Sequence, residues 1–410
     1  MQGLQKNKYQ FALLVLVNGF VGAMVGIERA VLSDFGKTVF GLEVSAALFS
    51  FIAAFGISKA LSNYLVARLS KITTRKRILV YGWIAALPVP FLLMYASSWK
   101  WVIIANILLG INQGLAWSAT VIMKIDLVGS RNRGLAMGIN EFAGYLSVGL
   151  AAWLSAEIAS EYGYAFFPFI PAIVFSFSGL LLTVFFVKDT GAFVAAESAS
   201  GNIPLFKSVW KEITWKHKNL STVSFNGMVN NMNDAVVWVT LPLLLLQKGY
   251  SISQVGIVAG VYPVVWGVAQ LFTGVLGDHY CKKQVITAGM LLQALSISIL
   301  AIAWSMPLLI VSSVLLGLGT ALVYPNFITV VAENAHPSQR AESLGFFRLW
   351  RDSGYVIGAL LSGMIAYRFG LTNTLFITAA ITAFAGVMAQ LRMCCTKKVW
   401  WKSNECIPAY

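Results

Sequence analysis

Charge is what this chain has least of. Only 11% of its 410 residues are Asp, Glu, Lys or Arg, against about 25% in ordinary soluble domains. Acid is scarcer than base, with 16 Asp and Glu against 30 Lys and Arg. The shortage of charge, set against 58% hydrophobic residues and a mean hydropathy of +0.74, excludes a soluble domain and leaves a polytopic membrane protein. The three histidines, His217, His279 and His336, are scattered. They offer neither metal-ligand nor nucleophile-base spacing, so no metal, no cofactor and no enzyme is expected. A nucleotide-binding glycine loop is also missing, which argues against an ATP-driven pump. No basic run is interleaved with aromatics, and no nucleic-acid partner is expected. Cys281, Cys394, Cys395 and Cys406 all fall in segments assigned below to the cytoplasm, a reducing space, so no disulfide framework is expected.

What is present is a series of apolar runs. Twelve predicted spans cover roughly 10–32, 44–67, 78–96, 101–124, 135–157, 164–187, 220–246, 252–275, 284–303, 306–331, 341–366 and 371–392. Lys6 and Lys8 precede the first run, and no small-residue cleavage site follows it. It reads as a retained span and not as a cleaved signal peptide. The expected fold is all-α integral membrane, two six-helix bundles over 1–187 and 220–392 joined by a cytoplasmic linker at 188–219, with a tail at 393–410. Alternate loops, starting with the N-terminus, hold 21 Lys and Arg, and the other loops hold 4. That bias places both termini and the linker in the cytoplasm, in an inner or plasma membrane.

The halves are related. Leu108-Leu109-Gly110 matches Leu315-Leu316-Gly317, and the same offset pairs Arg133 with Arg340, Gly138 with Gly345 and Asp126 with Glu333. Related halves joined by a linker fit a pseudo-two-fold axis along the membrane normal. Between spans eight and nine stands Gly274-Val275-Leu276-Gly277-Asp278-His279-Tyr280-Cys281-Lys282-Lys283. It resembles the cytoplasmic loop motif of the major facilitator superfamily. Gly274 would allow close helix approach, Asp278 would face a helix terminus, and Lys282 and Lys283 would anchor the loop. The first half carries a degraded copy in which Arg75-Lys76 aligns with Lys282-Lys283. The resemblance implies a central site, with spans one, four, seven and ten lining it and two, five, eight and eleven beside them. The chain departs from the superfamily's antiporter patterns at Gly110, where an arginine is common, and across Gly144 to Trp153, which holds no proline.

The candidate site residues are the charges and amides inside spans, because each is costly in hydrocarbon unless it faces a partner or water. Arg348, Arg351, Asp352 and Tyr355 sit at i, i+3, i+4 and i+7 of span eleven and share one helix face. In span seven Asn226, Asn230 and Asn233 share a face, read as a cavity wall, and Asn231 and Asp234 adjoin it. Lys59, Gln113, Tyr145 and Tyr324 complete the substrate-binding set, with Trp117, Trp238 and Trp350 as possible aromatic lining. Lys59 is placed where it could pair with Asp352; Lys124, near the inner end of span four, reads equally as a snorkelling residue or a site residue, and Glu28-Arg29, near the outer end of span one, equally as an interfacial pair or as part of the site. Glu141, Asp234 and Asp352 are the proton-coupling candidates, with Asp352 held ionised by arginine.

The expected function is secondary transport by alternating access, coupled to protons. The expected partners are H+, the lipid bilayer and a small organic solute, anionic or zwitterionic, since guanidinium grips carboxylate and phosphate bidentately. A monomer is expected. A multidrug-type proton antiporter for lipophilic compounds, and a non-transporting receptor or scaffold of the same fold, are the alternatives.

Overall fold

In the computed structural model, residues 6–43, 46–128, 133–190, 205–336 and 339–394 are described. The first half comprises α1 (Lys8–Arg29), a short α2 (Leu32–Phe40), α3 (Ala46–Ile72), α4 (Arg75–Ala86) continued by α5 (Pro88–Met94), α6 (Trp99–Asn112), α7 (Ser118–Val128), α8 (Arg133–Tyr162) and α9 (Ile170–Phe185). A single π-helical turn, Gln113–Trp117, joins α6 to α7 so that they form one span. A short α10 (Val209–Lys211) lies in the linker. The second half is α11 (Lys218–Gln247), α12 (Ile252–His279), α13 (Lys282–Ile302), α14 (Met306–Asn334) and α15 (Arg340–Arg392). All twelve expected spans are present. The last two are merged in α15, which turns at Gly370, where φ is +83°. Only glycine takes that backbone conformation without strain.

The helices are long because nothing in hydrocarbon can satisfy a bare peptide group, so each run bonds to itself. Packing repeats between halves. In the first, α1 meets α8, α3 meets α6 and α4 meets α9; in the second, α11 meets α15, α12 meets α14 and α13 meets α15. Two seams, α8 against α12 and α3 against α15, join the halves. The α8–α12 seam is close enough that a Cβ on Gly149 would stand 2.5 Å from Gly260 O.

The aligned charges of the two halves make equivalent ion pairs. Arg75 Nε lies 2.9 Å from Asp126 Oδ2, and Lys282 Nζ lies 2.9 Å from Glu333 Oε1. Lys283 is buried beside it. Gly274 and Asp278 lie outside the residues whose side chains are described. One expectation is overturned here: Cys281 and Cys394 each take part in a disulfide. Both sit at the end of the second half that carries the C-terminal tail.

Candidate functional site

Between the halves lies a narrow cavity of about 20 Å³, room for about one water. The first half contributes Val25 and Arg29 from α1, Phe55, Lys59 and Asn63 from α3, Gln113 and Trp117 from the π turn, Ser118 from α7, and Tyr145 and Val148 from α8. The second half contributes Tyr324 from α14 and Arg348, Arg351 and Tyr355 from α15. Helical spacing explains the selection. Phe55, Lys59 and Asn63 follow at i, i+4 and i+8; Arg348, Arg351 and Tyr355 follow at i, i+3 and i+7. The π turn inserts one extra residue per turn locally and so brings Gln113, Trp117 and Ser118 together on the wall. Gln113 Nε2 donates to Val21 O at 2.6 Å and ties that turn to α1.

Two of the four lining cations are neutralised. Arg29 grips Asp234 bidentately across the halves, with Nη1 to Oδ1 at 2.8 Å and Nη2 to Oδ2 at 2.7 Å. The Tyr355 hydroxyl donates to the same Oδ2 at 2.6 Å, and Arg29 lies 4.9 Å from the Trp238 ring centre. Arg351 donates from Nε and Nη2 to Asp352 Oδ1, at 2.8 and 2.6 Å, and from Nη1 to the Tyr324 hydroxyl at 2.6 Å. Asp352 also accepts from Asn231 Nδ2 at 2.9 Å and from Asn63 Nδ2 at 2.5 Å.

The other two cations pair with no acid among the described residues. Arg348 Nη1 donates to Ser118 Oγ, at 2.8 Å. Lys59 makes no hydrogen bond or ion pair among the described residues; its ammonium stands 4.8 Å from the Tyr355 ring centre and 5.2 Å from that of Phe55. None of the lining side chains is acidic. A run of hydrogen bonds, Arg348 to Ser118, Ser118 to Asn63 at 2.6 Å, and Asn63 to Asp352, crosses from one half to the other and back. Aromatic rings close one wall: Tyr145 stacks on Trp266 at 3.6 Å between centroids and meets Trp117 at 5.2 Å.

Of the sequence-predicted residues, Lys59, Gln113, Tyr145, Tyr324, Arg348, Arg351 and Tyr355 come together around this cavity. Asn226, Asn230 and Asn233 do not. They are buried behind it, where Asn233 accepts from Thr382 Oγ1 at 2.7 Å and donates to Gln293 at 3.0 Å. Asn233 thus turns to its own bundle, and span seven reaches the site through Asp234 and Asn231 and through Trp238, which packs against Arg29, Phe55 and Tyr355. Glu141 is buried, accepting from Trp117 Nε1 at 3.0 Å and Asn140 Nδ2 at 2.9 Å. Lys59 is not paired with Asp352, because Asn63, Asn231 and Arg351 already fill that carboxylate. Lys124 does not snorkel; it is fully buried and donates to Leu14 O at 3.1 Å. Glu28-Arg29 is not an interfacial pair, since both residues are buried and Arg29 turns to Asp234. Trp350 stacks on Trp210 of α10, at 5.6 Å, away from the cavity. Asn63 and Ser118 were not anticipated, although Asn63 stands one turn beyond Lys59 on the same stripe.

The sequence profile of the Major Facilitator Superfamily matches residues 11–218 and 223–398. The chain belongs to the Major Facilitator Superfamily. It is a membrane transporter of the two-bundle type. Among its relatives, the multidrug resistance protein MdtG of Proteus mirabilis is 25% identical over 325 residues, covering 77% of this chain and 78% of that protein. The quinolone resistance protein NorA of Staphylococcus aureus is 24% identical over 150 residues, 37% of this chain and 39% of that one. Solved structures of the same fold include a POT family transporter in complex with a thioalcohol-conjugated peptide, with a TM-score of 0.74 at 13% identity, covering 92% of this chain and 94% of that one. The human organic anion transporter MFSD10 superposes with a TM-score of 0.68 at 15% identity over 93% and 99% of the two chains.

Proposed function

We propose that the chain is a secondary transporter that moves a small organic anion or zwitterion by alternating access, with protons as the coupling ion. The observation that supports it is the charge of the cavity wall: four cations and no acid among its lining side chains, and two of the cations, Lys59 and Arg348, in no ion pair among the described residues. An unpaired cation in a protected cleft is costly. A bound carboxylate or phosphate relieves that cost, and relieves it on both sides, because Lys59 belongs to the first half and Arg348 to the second. Such an anion draws the bundles together.

The cavity is too small for an organic solute as it stands, so binding requires the halves to part on one side. The Arg29–Asp234 clamp joins α1 to α11 and is one bond that this motion must break or preserve. The excess of Lys and Arg in alternate loops supports cytoplasmic termini. Among the proton-coupling candidates, Asp234 and Asp352 each accept from an arginine and from further donors. Glu141 keeps one oxygen, Oε2, without a partner.

A second reading follows from the likeness to MdtG, a multidrug resistance protein, and NorA, a quinolone resistance protein: a multidrug exporter for lipophilic compounds. The aromatic wall of Trp117, Tyr145 and Tyr324 supports it. A thermal-stability panel on the purified protein separates the two, using dicarboxylates, organic phosphates, amino acids and lipophilic cations. The anion reading expects stabilisation by an organic anion that disappears in Lys59→Met and Arg348→Met. Stabilisation by lipophilic cations alone, unaffected by those substitutions, overturns it.

A further inference from the structure

Lys59 and Arg348 line the same cavity at different depths. The Lys59 ammonium lies beside the rings of Tyr355, at 4.8 Å, and Phe55, at 5.2 Å. Arg348 Nη1 donates to Ser118 Oγ at 2.8 Å, and Ser118 Oγ donates to Asn63 Oδ1 at 2.6 Å. One cation is therefore level with Phe55 on α3 and the other with Asn63, about two turns further along that helix. α15 runs antiparallel to α3 here, with Tyr355 against Gly56 and Phe346 stacked on Tyr64. Arg348 accordingly falls towards the Tyr64 end and Lys59 towards the Gly56 end. At about 1.5 Å per residue the offset is on the order of 10 Å. It runs along the helices, so parting the two halves sideways does not remove it.

A single carboxylate or phosphate relieves both cations only from a distance; in direct contact with one, it is out of reach of the other. A zwitterion meets a different obstacle, because its ammonium needs an anion. None of the lining side chains is acidic. Asp234 already accepts from Arg29 and Tyr355, and Asp352 from Arg351, Asn231 and Asn63. Glu141 is buried outside the lining, with Oε1 on Trp117 and Asn140. Apart from its four cations the wall is neutral and largely aromatic, with Trp117 and Tyr145 meeting at 5.2 Å and Tyr324 contributed by the other half.

We propose that the solute is an elongated dianion, with one anionic group at each end and an uncharged middle, that spans the cleft from Lys59 of the first half to Arg348 of the second. The two ends are recognised differently. The Arg348 guanidinium is a planar fork that takes a carboxylate or phosphate bidentately, and the Lys59 ammonium is a point charge that tolerates a range of approach angles. The uncharged middle lies against the aromatic wall, where a charge would have no partner. The dianion rests on the anion reading and narrows it: two anionic ends are required, and the zwitterion is excluded.

Isothermal titration calorimetry on the purified full-length protein tests this with α,ω-dicarboxylates of rising length, malonate to sebacate. Each is compared with the ω-hydroxycarboxylate and the ω-amino acid of the same length. Affinity is expected to peak at a length beyond succinate, where the dicarboxylate binds about tenfold or more tighter than either comparator. In Lys59→Met and in Arg348→Met that advantage is expected to vanish, dicarboxylate and hydroxycarboxylate then binding alike. Hydroxycarboxylates that bind the wild type as tightly as dicarboxylates at every length overturn the dianion and leave the anion reading in place. ω-Amino acids that match the dicarboxylates do the same. A dicarboxylate advantage that survives both substitutions overturns the assignment of the two ends. Absence of binding by all three series overturns the dianion and the anion reading together. The wild-type comparison needs no variant, so it decides even where a substitution prevents folding.

Discussion

Arg29 and Asp234 come from different halves and meet at 2.7 Å with essentially no solvent around them. Burying both ions carries a desolvation cost that their attraction only partly offsets, so the pair adds little net stability. Breaking it is another matter. Arg29→Met strands a buried carboxylate and is expected to lower stability by about 3–5 kcal/mol, with the double variant Arg29→Met, Asp234→Asn recovering much of the loss in thermal unfolding. The Lys282–Glu333 pair is the contrast. Its glutamate is half exposed, so Lys282→Ala is expected to cost less than about 1 kcal/mol. A third prediction concerns pH. His217 caps α11 by accepting from Leu220 N at 3.4 Å. Burial pushes its imidazole below the ordinary histidine value, against the opposing pull of Glu212. The unfolded chain therefore binds the proton more readily, and stability rises with pH in that window. The contribution is present above about pH 6.5 and is lost as pH falls through the lower folded value. Trypsin cleavage at Lys211 and Lys216 is expected to be faster at pH 5 than at pH 7.5 once corrected for the enzyme's own profile, and His217→Asn is expected to flatten that difference. At this scale the sequence shows which charges are buried and on which face. Arg348, Arg351 and Tyr355 were readable because one helix fixes their spacing. The partner of Arg29 was not, because 205 positions separate it from Asp234 and only packing decides which of several buried acids it meets.

Helices set where those side chains can go. α11 and α15 approach so closely that a Cβ on Gly354 would sit 2.1 Å from Met228 O. That contact fixes the register at which Asn231 reaches Asp352 and Tyr355 reaches Asp234. Gly354→Leu forces the two helices apart and is expected to cost about 1–3 kcal/mol, with a loss of ligand-induced stabilisation beyond what the lower melting point explains. The spans themselves were legible, since length and apolar content are properties of a segment. Their repeat was legible as well: the offset that aligned Arg75 with Lys282 and Asp126 with Glu333 is the one at which both ion pairs form. What periodicity could not give was the direction of α11. Asn226, Asn230 and Asn233 form a polar stripe that looks like a cavity wall, yet none of them lines the cavity: Asn233 meets Gln293 and Thr382 of its own bundle, and Asn226 donates back to Thr222 O of its own helix. An amide in a span needs a partner, and a neighbouring helix serves as well as water.

For the whole molecule, the two bundles touch along α8–α12 and α3–α15 and leave a cleft between them whose wall is positive. The composition points to the membrane, the loop charges to an orientation, and the duplicated motif to a two-bundle transporter. None of these reveals that Lys59 and Arg348 end on opposite sides of one cleft with no ion pair among the described residues. That is a tertiary fact, and it carries the functional account. It predicts that each of the two cations contributes a charge-assisted contact to the solute, worth about 1.5–3 kcal/mol, or roughly tenfold or more in affinity. The most direct measurement is uptake into proteoliposomes with an imposed pH gradient, using a panel of labelled organic anions, for the wild type and for Lys59→Met, Arg348→Met and the double variant. The account predicts gradient-driven uptake of at least one anion, a KM raised about tenfold or more in each single variant, and none left in the double variant although it still folds. Uptake of that anion by the double variant at wild-type KM would contradict it.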